Sequence, residues 1–316
     1  SLDLAQSQGR QLLKQLLQHA DVLLESFRPG VMQRLGLDYS SLTNINPQLV
    51  MCSLSGYGQT GPWAQLAGHD MNYCATAGVL DQCGRKDSEP ALANFQMADI
   101  AGGAQSAAMA ILAALFARLQ RQQNGEPATG EYLDISMTDC LFNAHIIPLS
   151  MCNLTGDSAA RGDDMLTGQC PNYDVYATRD GRYMAMAALE KKFWQRFCQV
   201  IDQPSWVERY GQTGQAAQIL RDDLRQLFAS ETQQYWAQKL LSADCCVTPI
   251  LSVRDAFEQP QLMARDMLHT LTNAQGQTWR CAAPAWSFSG QRFCPSGGGP
   301  AQGQHSQSIL QQLGHG

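Results

Sequence analysis

The stretch LVMCSLSGYG, residues 49–58, reads as a buried strand that runs into a glycine-rich loop, and the segments on either side decide what kind of sheet it joins. Upstream, Leu12, Leu13, Leu16 and Leu17 recur at helical spacing on one face. After Ala20 the run VLL is a second short strand, turning at Phe27-Arg28-Pro29-Gly30. Downstream, IAGGAQSAAMAILAALFARLQRQQ predicts one long helix from Ile100 to about Gln122, with Asp99 as its N-cap and Gly125 just past its end. YLDISM, residues 132–137, alternates as a strand, and DCLFNAHIIPLSM continues as a helix. Strand alternating with helix predicts a parallel α/β sheet.

Residues 153–172 are rich in Gly, Asp and Pro and read as a linker. Beyond it, YDVYATRDGRYMAMAAL is a hairpin turning at Arg179-Asp180-Gly181. Three helical segments follow, KKFWQRFCQVI, LRDDLRQLFA and TQQYWAQKLLSA, then a strand at VTPILS and a helix at DAFEQPQLMARDM. The expected division is a large domain at 1–152, the linker at 153–172, a small α/β domain at 173–266, and a linker with C-terminal return to the large domain at 267–316. SGGGP, residues 296–300, is a flexible loop rather than a phosphate cradle, since strand and helix do not flank it in the required order.

A chain of 316 residues with 44% apolar and 16% charged content suits two domains, at roughly 100 to 200 residues each. Its net charge of −6 removes the general attraction that nucleic acid or an anionic membrane needs, so an anionic ligand must be held by a local cation cluster. Apolar runs such as Ala107–Ala117 are too short to span a bilayer, and the first residues form no signal peptide. The expectation is a cytoplasmic protein without nucleic-acid or membrane partners. Eleven scattered cysteines with no CxxC pair argue against a disulfide framework or zinc site, and most are expected to be small buried residues.

Three acid/base candidates stand out: His69 with Asp70 in AGHDMNY, Asp99, and Glu190 after an apolar strand. Each has a structural alternative, as loop scenery, helix cap or the start of the next helix. Gly102 and Gly103 favour chemistry at Asp99. Glycine costs about 1 kcal/mol relative to alanine inside a helix, so two in the first turn predict a bare N-terminus where a ligand approaches the N–H groups.

With these residues in view the chain resembles the class III CoA-transferase (CaiB/BaiF) superfamily, and within it the α-methylacyl-CoA racemases. ADVLLESFRPGVMQRLGLDYSSL, LSGYGQTGPWAQLAGHDMNY, QMADIAGGAQSAAMAILAALFARL, YLDISMTDCLF, LTGQCPNYDVYATRDGRYMAMAALEKKFW and CVTPILSVRDAFEQPQLMARDM occur in family order with closely similar spacing. The resemblance implies a Rossmann-like large domain with helices on both sides of a parallel sheet, a smaller α/β domain, and an interlocked homodimer. It implies an acyl-CoA thioester as substrate, with no bound cofactor or metal. His69 and Asp99 match the two bases that work on opposite faces of the substrate's α-carbon. Their separation by thirty residues agrees with a need for two groups on separate elements. Asp70 is expected to orient or tune His69, Glu190 to do likewise across the cleft, and Tyr73 to line the site beside Gly68. Arg34 matches a family arginine that contacts the nucleotide phosphates, with Arg28 a second candidate whose alternative is a turn residue paired to a carboxylate.

Transferases of the superfamily use the aspartate as a nucleophile, lack the histidine of GHD and cover the site with a glycine run. LTGQCPNY, residues 166–173, stands near that run and holds one glycine. The expected reaction is therefore racemisation of a 2-methylacyl-CoA, the alternatives being CoA transfer through Asp99 and an inactive CoA-binding fragment. Ala98 replaces a usual glycine, Lys191 a proline and Phe95 an asparagine. Family members carry roughly sixty further residues before the point matching Ser1, including the first strand of the sheet.

Overall fold

A computed structural model describes residues 1–273, 275–295 and 297–315, so Ser296 of the SGGGP segment lies outside the described residues. The chain divides into two compact units: Ser1–Asp164 with the residues from Leu310 onward, and Met165–Ile309.

The first unit is built on helix α1 (Ser7–Leu17), strand β1 (Val22–Glu25), helices α2 (Val31–Arg34) and α3 (Tyr39–Thr43), and strand β2 (Val50–Ser55). Helix α4 (Asp70–Thr76) follows, then a π-helical segment (Met97–Ala104) continuous with α5 (Gln105–Gln123). Strand β3 (Tyr132–Ser136) and helices α6 (Met137–Ala144) and α7 (Ile146–Thr155) complete it. The three strands form a parallel sheet in the order β1-β2-β3, as the alternation of strand and helix predicts. The central β2 is the most buried, its Met51 and the preceding Leu49 packing with Leu17, Met32, Leu37 and Leu42. A second cluster, Cys74, Ala77, Ala98 and Leu141, joins α4, the π-helical segment and α6.

The second unit opens with strands β4 (Tyr173–Ala177) and β5 (Tyr183–Ala187), the expected hairpin. Helices α8 (Lys191–Val200), α9 (Gly214–Ala229) and α10 (Gln233–Leu240) follow, and strand β6 (Val247–Pro249) pairs antiparallel to β5. The core joins the sheet to these helices through Tyr176, Trp194, Phe197, Phe228 and Trp236. Both buried indoles are satisfied, Trp194 donating to the Trp206 carbonyl and Trp236 to that of Phe228, each at 2.9 Å. Past helices α11 (Val253–Ala256) and α12 (Pro260–Ala264), strands β7 (Leu268–Thr272) and β8 (Thr278–Ala282) form a hairpin within the stretch read as linker and C-terminal return.

Three expectations are corrected. The helix read from Ile100 begins at Met97, and the continuous run to Gln123 is long and apolar enough, by length and composition, to cross a membrane. Its far end is tied to the sheet, because Arg118 donates to the Gln48 carbonyl and pairs with Asp21 at 2.6 Å. The helix read through residues 139–151 breaks at His145, whose φ/ψ of −81°/41° leave the helical region. Of the cysteines only Cys52, Cys74, Cys198 and Cys245 are buried; Cys152 and Cys246 are exposed.

The β2–β3 register depends on a close backbone approach. Gly130 donates to the Pro47 carbonyl at 2.8 Å, and a Cβ on it would lie 1.9 Å from the carbonyl oxygen of Leu49. Backbone cannot yield there as a flexible side chain can. Gly130→Ala should therefore lower unfolding stability by about 2 kcal/mol or more, read from the denaturant midpoint.

Candidate active site

All three parallel strands end at one cleft of about 520 Å³. β1 supplies Ser26–Pro29 just past its end, β2 supplies Leu54–Tyr57, and β3 is followed by Met137. A parallel sheet leaves such a crevice beyond its carboxyl ends, where ligands of α/β proteins bind. The far wall is Ala64, Leu66–His69, Asn72 and Tyr73, together with Asp99. The loop before His69 is pinned along the cleft, since the Gln65 amide donates to the Pro29 carbonyl at 3.1 Å.

His69 is exposed and stands in extended backbone as the N-cap of α4. Its N–H donates to Asn72 Oδ1 at 3.0 Å, and its carbonyl accepts from the Asn72 N–H at 2.8 Å. This is a capping-box spacing, with asparagine in the position usually filled by Glu or Gln. Asn72 is a site residue that the sequence reading missed, and that three-residue spacing was the available signal.

Asp99 is no N-cap. It is the third residue of the π-helical segment, whose N-cap is Gln96, and it lies half-buried at the cleft. π-Turns inside helices occur frequently at functional sites. Asp70 Oδ1 accepts from the N–H groups of both Ala98 and Asp99, at 2.7 and 2.9 Å. The anion expected at this helix start is thus the protein's own carboxylate, and those two donors are engaged before any ligand arrives.

Gly102 and Gly103 are corrected as well. Both are buried, and a Cβ on Gly103 would meet Met137 Cγ at 2.9 Å and Leu54 Cδ1 at 3.1 Å. Their small size admits α6 and β2 against the helix; it does not open the helix to a ligand.

Tyr73 and Gly68 line the cleft as one unit, the phenol donating to the Gly68 carbonyl at 2.6 Å. The Tyr73 ring meets Tyr57 edge-on at 5.1 Å, and Tyr57 meets Trp63 likewise at 5.5 Å. Arg28 lines this cleft and a neighbouring one of about 440 Å³ that also contains Glu25, Asp38 and Tyr132. Among the described residues no ion pair involves Arg28. Arg34, on α2, lines neither cleft. Glu190 belongs to the second unit, where it is the N-cap of α8.

Burial pushes the pKa of Asp99 up, Asp70 adds to the rise, and His69 opposes it. A histidine and a carboxyl of raised proton affinity facing one cleft offer a base and an acid to the same ligand.

A parallel sheet with this cleft at its carboxyl ends, in a mixed α/β chain, is the architecture of the class III CoA-transferases. The Brucella suis CaiB/BaiF family protein has the same fold, with a TM-score of 0.81 at 27% identity over 99% of this chain and 80% of that one. The profile of CoA-transferase family III matches residues 1–306, and the chain belongs to that family. It is 32% identical to human alpha-methylacyl-CoA racemase over 314 residues, covering 99% of this chain and 80% of the racemase. It is 30% identical to succinate–glutarate CoA-transferase of Agrobacterium fabrum over 322 residues, covering 98% and 77%. The family is one of enzymes, and relatives of both reaction types are similar to this chain.

The raised pKa of Asp99 has a signed consequence for stability. The folded state holds this proton above the pH at which the unfolded chain releases it, so stability falls as pH rises from the ordinary carboxylate value through the raised one. Asp99→Asn should therefore be more stable than the unaltered protein at pH 7 and lose that advantage below the ordinary carboxylate range, as urea midpoints at the two pH values would read.

Proposed function

We propose that this enzyme inverts the α-carbon of a 2-methylacyl-CoA thioester by two-base proton transfer. The observation that carries the reading is that His69 and Asp99, borne on separate elements, line one cleft. One group enters ionised or neutral and removes the α-proton. The bonding pair passes into the thioester enolate, and the other group, entering protonated, returns a proton to the opposite face. Because Asp99 holds its proton more tightly than an ordinary carboxyl, its proton affinity moves toward that of an imidazole, and each group can serve as acid in one direction. Arg28, without a carboxylate partner among the described residues, is assigned with Arg34 to the phosphates of CoA, which an overall charge of −6 would otherwise repel. Glu190 is assigned a supporting role.

The same reading includes a homodimer and a cytoplasmic location. In favour of the dimer, Met109, Leu112, Phe116 and Leu119 recur at helical spacing along α5, and all are exposed.

Incubation with a 2-methylacyl-CoA in deuterated water should give α-deuterium incorporation and loss of optical purity. His69→Ala and Asp99→Asn should each lower inversion by about a hundredfold. Transfer of CoA to a free acid without inversion would instead identify a transferase acting through Asp99. Neither reaction, with CoA still bound, would identify an inactive CoA-binding fragment. Leu112→Glu combined with Phe116→Glu should halve the mass found by sedimentation; an unchanged mass would remove α5 from the interface.

A further inference from the structure

Building on the two-base reading, we infer that Asn72 and Tyr73 are positioning residues for His69, acting as a clamp on the peptide bond that precedes it. That peptide is held at both polar ends by side chains from the next turn of chain. Its carbonyl, on Gly68, accepts from the Tyr73 hydroxyl at 2.6 Å, and its N–H, on His69, donates to Asn72 Oδ1 at 3.0 Å. Because a peptide group is planar, fixing its oxygen and its nitrogen fixes the whole plane. The torsions on either side, ψ of Gly68 and φ of His69, are then set, and the second of these aims the Cα–Cβ bond of His69.

Sterics make the clamp specific. A Cβ on Gly56 would lie 2.2 Å from the Tyr73 ring, and one on Gly68 would lie 2.6 Å from it. The ring is thus seated against the end of β2 on one side and the clamped peptide on the other, with Tyr57 edge-on at 5.1 Å. The slot needs glycine at residue 68, which is also the residue type with most backbone freedom to lose. His69 itself is exposed, so packing around its ring contributes little to its aim, and the peptide behind it carries that task. The turn of chain that clamps His69 through Asn72 and Tyr73 also holds Asp99 through Asp70.

Loosening the clamp removes one base and leaves the other. For the enantiomer whose α-hydrogen faces Asp99, the carboxylate takes the proton and the C–H pair enters the enolate. A deuteron acquired from solvent by Asp99 then returns to the same face, giving exchange without inversion. Tyr73→Phe keeps the ring and drops the donor, and Asn72→Ala drops the acceptor. Each should lower inversion by about tenfold or more and lower exchange on the Asp99 side by less, so that the ratio of inversion to exchange falls. Asn72→Asp, which keeps an acceptor for the His69 N–H, should recover most of the inversion. An unchanged ratio of inversion to exchange in both variants, or an equal fall in both quantities, would overturn the clamp. A readout independent of turnover is the imidazole ring resonance of His69, identified by its loss in His69→Gln. Should the unaltered protein exchange no α-hydrogen, the two-base reading fails. The clamp then stands if that resonance shifts or doubles in Tyr73→Phe and Asn72→Ala, and it falls if the resonance is unmoved in both.

Discussion

One carboxylate oxygen organises the site. Asp70 Oδ1 accepts from two successive backbone N–H groups, those of Ala98 and Asp99, and so joins the first turn of α4 to the first turn of the π-helical segment across 28 and 29 residues of chain. Hydrogen bonds to an ionised acceptor are roughly twice as strong as neutral ones, and these satisfy donors that every helix start leaves unpaired. Burial raises the proton affinity of the Asp99 side chain, and the negative charge that holds its backbone adds to that rise. Position and acidity are therefore set together, and neither can be altered at Asp70 without the other.

Around this link the cleft is assembled from backbone that approaches closely rather than from long side chains. Gly56 and Gly68 make room for Tyr73, and Gly103 makes room for Met137 and Leu54. Gly58, at φ +82°, turns the chain away from β2 toward the carboxylate of Asp134, which accepts from the Gln59 N–H. Loops are stable in such positions only when their polar groups are paired, and the Gln65 amide on the Pro29 carbonyl serves that need here. The result is a wall on which His69 and Asp99 project from segments held at their backbones.

The family supports more than one reaction on one scaffold, as the similarity to a racemase and to a CoA-transferase makes plain. The scaffold supplies the crevice, and the side chains that reach into it choose the chemistry. In this chain a histidine and a carboxylate line the same cleft. A carboxylate alone suits covalent transfer, and a carboxylate opposite a second base suits proton transfer across a carbon.

Much of this was legible in the residues. Local periodicity determined β1, β2, β3 and the β4–β5 hairpin, because alternation and apolar runs are properties of a few neighbouring residues. The resemblance of ordered segments determined the family and singled out His69 and Asp99. What the sequence could not determine were contacts between residues distant along the chain. A π-helical segment begun two residues earlier stands where an ordinary N-cap was read at Asp99, and a carboxylate 29 residues back in the chain takes the Asp99 N–H. Gly102 and Gly103 signalled something real, but only packing decided that a neighbouring helix and strand, rather than a ligand, fill the space they leave. Asp70 was read as a partner of the histidine beside it, and the fold turned it toward Asp99. Adjacency in sequence sets which side chains are near; the direction each one faces is set by the backbone that folds back to meet it.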